Sequence, residues 1–180
     1  MARLTIDGYG QVELNNVAFR RDGRIEAQCA LSTVDFASVP AENGMILRVK
    51  KASREICFAD ASAENQLYAL NYTSEHMYDE RKPGLKNFKL SATDDFYPRV
   101  GYLAAGDLWT TNCVDLGSYA SYDAVKAALG SGTEIYGTVG TQGAVIFGDS
   151  APSVGPVIQV TKATTMPDGT KGFQLQVLSV

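Results

Sequence analysis

Two strand-like runs near the end of the chain, separated by a Pro-Asp-Gly turn, constrain the fold more than any other feature. Residues 157–178 contain these runs, which are rich in β-branched and other apolar residues, and the turn occupies residues 167–169. Proline presets φ for a turn, and glycine adopts the positive φ that lets the chain reverse. In the second run, Phe173, Leu175 and Val177 alternate with glutamines. The pattern predicts a hairpin with one face packed on a core.

The composition favours a β-rich globular protein. The chain has 180 residues, of which 45% are hydrophobic, 20% are charged and 17 are glycines. This size fits a single β-rich domain over residues 1–180, or two lobes whose boundary the sequence does not define. A net charge of -4 argues against a nucleic-acid-binding role, because affinity for phosphates comes mainly from Lys and Arg. Residues 1–8 contain no apolar run suited to a signal peptide or membrane span, so we expect a cytosol-like compartment and no membrane partner.

Many short strands are predicted before the closing hairpin. Two of them flank the Asp-Gly pair at 22–23 and predict a first hairpin, and two others flank residues 140–143 and predict another. The three strands between residues 45 and 72 are expected to form a meander. The predicted strands cover residues 11–19, 24–31, 45–50, 55–59, 67–72, 88–90, 99–103, 108–114, 133–139 and 144–147.

One short helix is predicted near residues 121–130. Ser121 is suited to the N-cap, Asp123 places an acid in the first turn, and Gly130 ends an alanine-rich stretch. The predicted fold class is therefore mainly β, as a barrel or a sandwich of short antiparallel strands with this single helix.

The cysteines do not predict a disulfide framework. Cys29, Cys57 and Cys113 are odd in number, widely spaced and flanked by apolar residues. We expect buried, reduced thiols that react slowly. Three scattered thiols and one histidine are also too few soft ligands for a zinc site.

No catalytic motif is present, so we expect a protein that is not an enzyme and has no catalytic residue, cofactor or metal. His76 lies in a strongly charged stretch and is interpreted as a solvated residue rather than a general base. Asp94 and Asp95 are adjacent, and adjacent residues of a strand point to opposite faces. Trp109 and the nine tyrosines are more typical of packing than of a sugar-binding platform.

Four segments of the chain have a recognisable pattern, namely residues 40–49, 83–88, 98–103 and 160–169. They resemble segments of head-associated structural proteins of tailed bacteriophages that infect Gram-positive hosts. The middle of the chain is also similar in outline to the β-tulip decoration proteins that lie on phage shells. The resemblance implies a barrel or β-tulip-like fold and a decoration, or cement, protein that binds and stabilises the assembled capsid. It also implies the major capsid protein as partner, self-association around a capsid symmetry axis, and a place on the capsid exterior after assembly in the host cytoplasm.

The segment 78–85 is the predicted partner-binding loop. It is strongly charged and interrupts the strand pattern, and its two apolar ends could anchor an interface that the charges orient. The candidate contact residues are Tyr78, Asp79, Glu80, Arg81, Lys82 and Leu85.

Two other functions remain open. One is a phage tail or other virion component, which would share the β-rich composition. The other is a carbohydrate-binding module or hydrolase that uses Trp109 with Asp94, Asp95 or Asp107.

Overall fold

The protein is mainly β in a computed structural model that describes residues 8–23, 27–62, 66–73, 89–93 and 97–180. Strands account for 41% of the described residues and helices for 9%. The predicted fold class is therefore confirmed. In chain order the elements are β1 Val12–Asn16, α1 Ala18–Arg21, β2 Ala27–Gln28, β3 Ala30–Leu31, β4 Ala41–Glu42, β5 Ile46–Lys50, β6 Glu55–Phe58, β7 Ala69–Asn71, β8 Lys89–Leu90, β9 Arg99–Tyr102, β10 Leu108–Thr111, β11 Val114–Asp115, α2 Tyr122–Gly130, β12 Tyr136–Val139, β13 Val145–Gly148, β14 Val157–Thr165 and β15 Lys171–Ser179.

The largest sheet has seven strands in the order β1-β10-β15-β14-β12-β13-β11 and curls into a nearly closed, barrel-like form. All its pairs are antiparallel except β11 with β13. The closing hairpin is present as predicted, because β14 pairs with β15 and Gly169 takes a φ of 85° in the connecting turn. Leu175 and Val177 are buried on its inner face. The predicted β12–β13 hairpin is also confirmed.

The second sheet has six strands in the order β2-β9-β7-β5-β6-β3, and β4 pairs with β8 separately. Both faces of this sheet are covered. On one face Ile46 and Leu70 join the larger hydrophobic core, which also contains the inner residues of the seven-stranded sheet. On the other face Leu47 and Ile56 join a second core under residues 31–41.

The predicted first hairpin is wrong. Residues 18–21 form helix α1, β1 pairs with β10, and β2 pairs with β9. The physical reason is packing: Phe19 is 1% exposed, and its ring lies 5.0 Å from the ring of Tyr72. Burial of Phe19 in the larger core therefore overrides the local turn signal of Asp22-Gly23.

The predicted meander is correct for one of its two connections. β5 and β6 form an antiparallel pair, but β7 pairs with the opposite edge of β5 rather than with β6. β7 then pairs with β9, so a later part of the chain completes this sheet.

Helix α2 begins after Ser121, as predicted. The Ser121 side chain accepts a hydrogen bond from the Ala124 N–H at 3.2 Å. The helix packs on β14, Val125 is fully buried, and the ring of Tyr122 lies 5.1 Å from that of Phe173. Within the described ranges, neither helix is long and apolar enough to cross a membrane.

Candidate functional site

A cleft of about 490 Å³ lies where the two large sheets meet. Arg48 of β5 and Phe58 of β6 line it from the six-stranded sheet, and residues 139–141 line it from the β12–β13 hairpin. The remaining walls come from Asp35, residues 59–62 and Val154. We call this site the Arg48 cleft.

A backbone hydrogen bond holds the two sheets together beside the cleft. The Ile46 N–H donates to the carbonyl of Gly143 at 2.7 Å, which joins β5 to the link between β12 and β13. Arg48 lies two residues further along β5, on the same face as Ile46, because side chains alternate along a strand. The position of Arg48 in the cleft therefore follows from the alternation of side chains along β5.

The positively charged side chain of Arg48 is not fully hydrogen-bonded in the cleft. Arg48 Nε is buried and has no hydrogen-bond partner in the described part of the chain. Buried donors are normally paired, and an unpaired one costs free energy. Thr138 Oγ1 is a second buried, unpartnered polar atom. It lies near the cleft without lining it, since a Cβ added at Gly155 would lie 2.9 Å from both Thr138 Oγ1 and the Cβ of the cleft residue Ala61.

Two carboxylates also line the cleft, but each accepts hydrogen bonds from nearby donors. Asp35 Oδ2 accepts from the Phe58 N–H at 3.0 Å. Asp60 Oδ1 accepts from the N–H of Ser62 at 2.9 Å and from its hydroxyl at 2.7 Å. These bonds, with a smaller contribution from the charge of Arg48, lower the pKa of Asp60. Both acids are therefore held by the local backbone.

Apolar side chains are exposed around the cleft. Val154 lines it and is 55% exposed, and Val34, which precedes Asp35, is 82% exposed. An apolar group beside a charged cleft has the mixed character of a protein interaction surface.

A second, smaller pocket of about 240 Å³ lies between residues 8–10 and the β10–β11 link. Glu42, Asn112 and Cys113 contribute to its lining. The Glu42 carboxylate accepts a hydrogen bond from the Gly10 N–H. Asn112 Oδ1 accepts from the Gln11 N–H at 2.7 Å, and Asn112 Nδ2 donates to the Tyr9 carbonyl at 3.1 Å. These polar groups anchor the segment before β1.

Cys113 is not poised as a nucleophile in this pocket. Burial, with a smaller effect from the charge of Glu42, raises the pKa of its thiol to about 12. The thiol is therefore protonated at neutral pH, whereas the thiolate is the reactive species. Burial also raises the pKa of Cys57. All three cysteines are free thiols, but only Cys57 is buried as a whole residue, so the predicted burial is wrong for Cys29 and Cys113, which are half-buried.

Several residues singled out from the sequence lie outside the described ranges. They include the predicted contact residues Tyr78, Asp79, Glu80, Arg81, Lys82 and Leu85, together with His76, Asp94 and Asp95. Their predicted roles stay predictions.

The proposed sugar-binding use of Trp109 and Asp107 is wrong. Trp109 is fully buried in the larger core, so its ring cannot stack on a sugar. Asp107 is 2% exposed, and its carboxylate accepts from the Ala18 N–H at 2.6 Å and from the Ala104 N–H at 2.7 Å. It joins the start of α1 to the turn before β10, which is a structural role.

Sequence reasoning missed Arg48, although a signal was present. Arg48 interrupts the apolar run of residues 45–49, and strand alternation places it on the same face as the buried Ile46. A charged residue on the buried face of a strand points to a polar site or a cleft.

In the described part of the chain, no group of three or more His, Cys, Asp or Glu side chains is arranged to hold a metal ion. No protein-family model, curated protein or solved structure matches this chain. Inference about its function therefore rests on its own residues.

Proposed function

We propose that this protein is a structural component of a tailed-bacteriophage virion that binds the assembled capsid shell as a decoration, or cement, protein. The major capsid protein is the proposed partner, with self-association of the decoration protein around a capsid symmetry axis. The proposed place is the capsid exterior, after assembly in the host cytoplasm.

The observation that carries the proposal is the surface at the Arg48 cleft. Val154 exposes an apolar group in a cleft that Arg48, Asp35 and Asp60 also line, and Val34, the neighbour of Asp35 in the chain, exposes another. Protein interfaces combine an apolar centre with a polar and charged rim. Decoration requires such a surface rather than a reactive centre, and repeated weak contacts on a lattice reinforce one another.

The chemistry of the described polar groups also supports a binding role over catalysis. The Asp107 carboxylate is engaged by backbone donors, and the Cys113 thiol is protonated at neutral pH. These groups serve the fold, and a hydrolase would need acidic groups free to reach a substrate.

The proposal is tested by adding purified protein to capsid shells that lack it. We expect it to cosediment with expanded shells, to bind unexpanded shells less well, and to raise the temperature at which shells disrupt, because a ligand of the assembled state stabilises that state. Folded protein that binds neither shell form, or that binds isolated tails instead, would contradict the proposal.

A matched pair of variants tests the surface itself. Burying a valine contributes about 1.5 kcal/mol, so Val34→Asn with Val154→Asn should weaken shell binding at least about tenfold. Val180→Asn is the control, since Val180 is 57% exposed, much like Val154 at 55%, but does not line the cleft. If both variants bind shells equally well, this surface is not part of the interface.

A further inference from the structure

The positively charged guanidinium of Arg48 has a nitrogen, Nε, that donates no hydrogen bond to any described residue. Arg48 Nε is buried without a hydrogen-bond partner, and in the described part of the chain Arg48 forms no ion pair. Asp35 and Asp60 share the cleft, but N–H and O–H donors of Phe58 and Ser62 already engage them. Nε itself is enclosed, so an external acceptor would meet the guanidinium at its terminal nitrogens, which have no hydrogen-bond partner in the described part of the chain.

The size and walls of the cleft indicate what kind of acceptor fits. Its volume of about 490 Å³ lies within the range of about 300–1,000 Å³ that is typical of ligand pockets. Ala61, Val139 and Val154 give it apolar walls. An acceptor on a short aliphatic stem satisfies both features, because the stem packs on the walls while its charged end reaches the guanidinium.

We propose that the Arg48 cleft binds a carboxylate side chain, Asp or Glu, presented by a loop of a partner polypeptide. The guanidinium donates to the carboxylate, and the apolar walls pack on the stem and on neighbouring apolar groups of the loop. The identity of the partner as a capsid protein rests on the proposed function, whereas the carboxylate chemistry does not.

A free phosphate fits this site less well than a carboxylate. Arg48 is the single cation among the described residues that line the cleft, and two of the other lining residues are acids. A phosphate carries more charge and usually recruits several donors.

The test uses the full chain labelled with ¹⁵N and two probes that differ in one group. N-acetyl-glutamate N-methylamide should shift the amide resonances of Ala59, Ala61, Gly140 and Thr141, whereas the uncharged N-acetyl-glutamine N-methylamide should have little effect. Equal shifts with both probes would overturn the role of the carboxylate. Tighter binding of inorganic phosphate than of the glutamate probe would overturn the choice of ligand.

Substitutions at Arg48 separate binding from folding. Arg48→Met should weaken binding of the glutamate probe about tenfold to hundredfold, because a charge-assisted hydrogen bond is lost. Its Tm should be unchanged or higher than that of the wild type, since the unpaired buried donor is removed. Lys50→Met on the exposed part of the same strand is the control and should bind the probe like the wild type.

Arg48→Lys keeps the charge but loses the planar donor fork, so its affinity for the probe should be intermediate. Unchanged probe affinity in Arg48→Met would overturn the inference. A fall in Tm on Arg48→Met, with probe affinity retained, would assign Arg48 to folding instead.

Shell binding distinguishes this inference from the proposed function. If wild-type protein binds shells and Arg48→Met binds them equally well, the inference fails and the decoration role stands. If wild-type protein binds the glutamate probe through Arg48 but binds no shell, the decoration role fails and the carboxylate site stands.

Discussion

The seven-stranded and six-stranded sheets differ in how far apart in the sequence their paired strands lie. Two antiparallel hairpins, β12–β13 and β14–β15, form the middle of the seven-stranded sheet. The six-stranded sheet contains one such hairpin, β5–β6, and relies on β9 to pair with both β2 and β7. Local turns therefore organise much of the first sheet, whereas packing between distant segments organises the second.

The two sheets meet in the larger core, where a leucine of one sheet and a glycine of the other have different roles. The inner face of β15 places large side chains such as Leu175 in the larger core. In β9, by contrast, Gly101 allows close approach: a Cβ there would lie 2.4 Å from Cδ2 of Phe19. At Leu175 the strand fills space in the core, whereas at Gly101 the strand leaves space for a ring from helix α1.

The largest expected effect comes from a cavity in the seven-stranded sheet. Leu175→Ala should lower the free energy of unfolding by about 2–5 kcal/mol, because a fully buried side chain is truncated. Leu178→Ala, three residues later in the same strand, should change it by less than about 0.5 kcal/mol, since Leu178 is 43% exposed. Urea denaturation of both variants measures the difference, and similar losses would show that the two leucines are not distinguished by packing.

A smaller effect is expected from overpacking the six-stranded sheet. Gly101→Val should lower the free energy of unfolding by about 1–3 kcal/mol, because the new side chain collides with the ring of Phe19. Gly148→Val is the matched control in β13, where nothing lies within 4 Å of the added Cβ. The comparison is made by chemical denaturation.

A double-mutant cycle identifies the cause. Phe19→Ala combined with Gly101→Val should destabilise the protein by less than the sum of the two single changes, because removal of the ring relieves the collision. Additive losses would mean that Gly101 is required for a reason other than contact with Phe19.

The smallest effect is expected at the turn of the closing hairpin. Asp168 accepts hydrogen bonds from the Thr170 N–H and from Nε2 of Gln11, and these lower the pKa of its carboxyl below the usual 3.8. A lowered folded-state pKa stabilises the protein above pH 3.8, and this stabilisation is lost as the pH falls through the folded-state pKa. The Tm difference between wild type and Asp168→Asn should therefore shrink on acidification.

Gln11→Ala should reduce this pH-dependent difference without abolishing it, because the Thr170 donors remain. Thermal unfolding followed by circular dichroism from neutral to strongly acidic pH measures the effect. A difference that grows as the pH falls would contradict the assigned direction of the pKa shift.

Local sequence is sufficient to predict the elements whose signals lie close together along the chain. The Pro-Asp-Gly turn with the alternating Phe173, Leu175 and Val177 predicted the closing hairpin, and Ser121 predicted the start of helix α2. Turn geometry and capping depend on a few neighbouring residues, so their outcome can be derived from local chemistry.

The pairing of β1 with β10 and of β2 with β9 is found only in the folded protein, as is the place of Arg48 in a cleft between the sheets. Asp22-Gly23 has the local chemistry of a hairpin turn, but burial of Phe19 against Gly101 and Tyr72 favours a helix before it. Many strand pairings have similar local propensities, and the free energy of burying side chains from distant segments selects among them. Because this selection depends on the whole chain, the strand pairing cannot be derived from any short stretch of sequence.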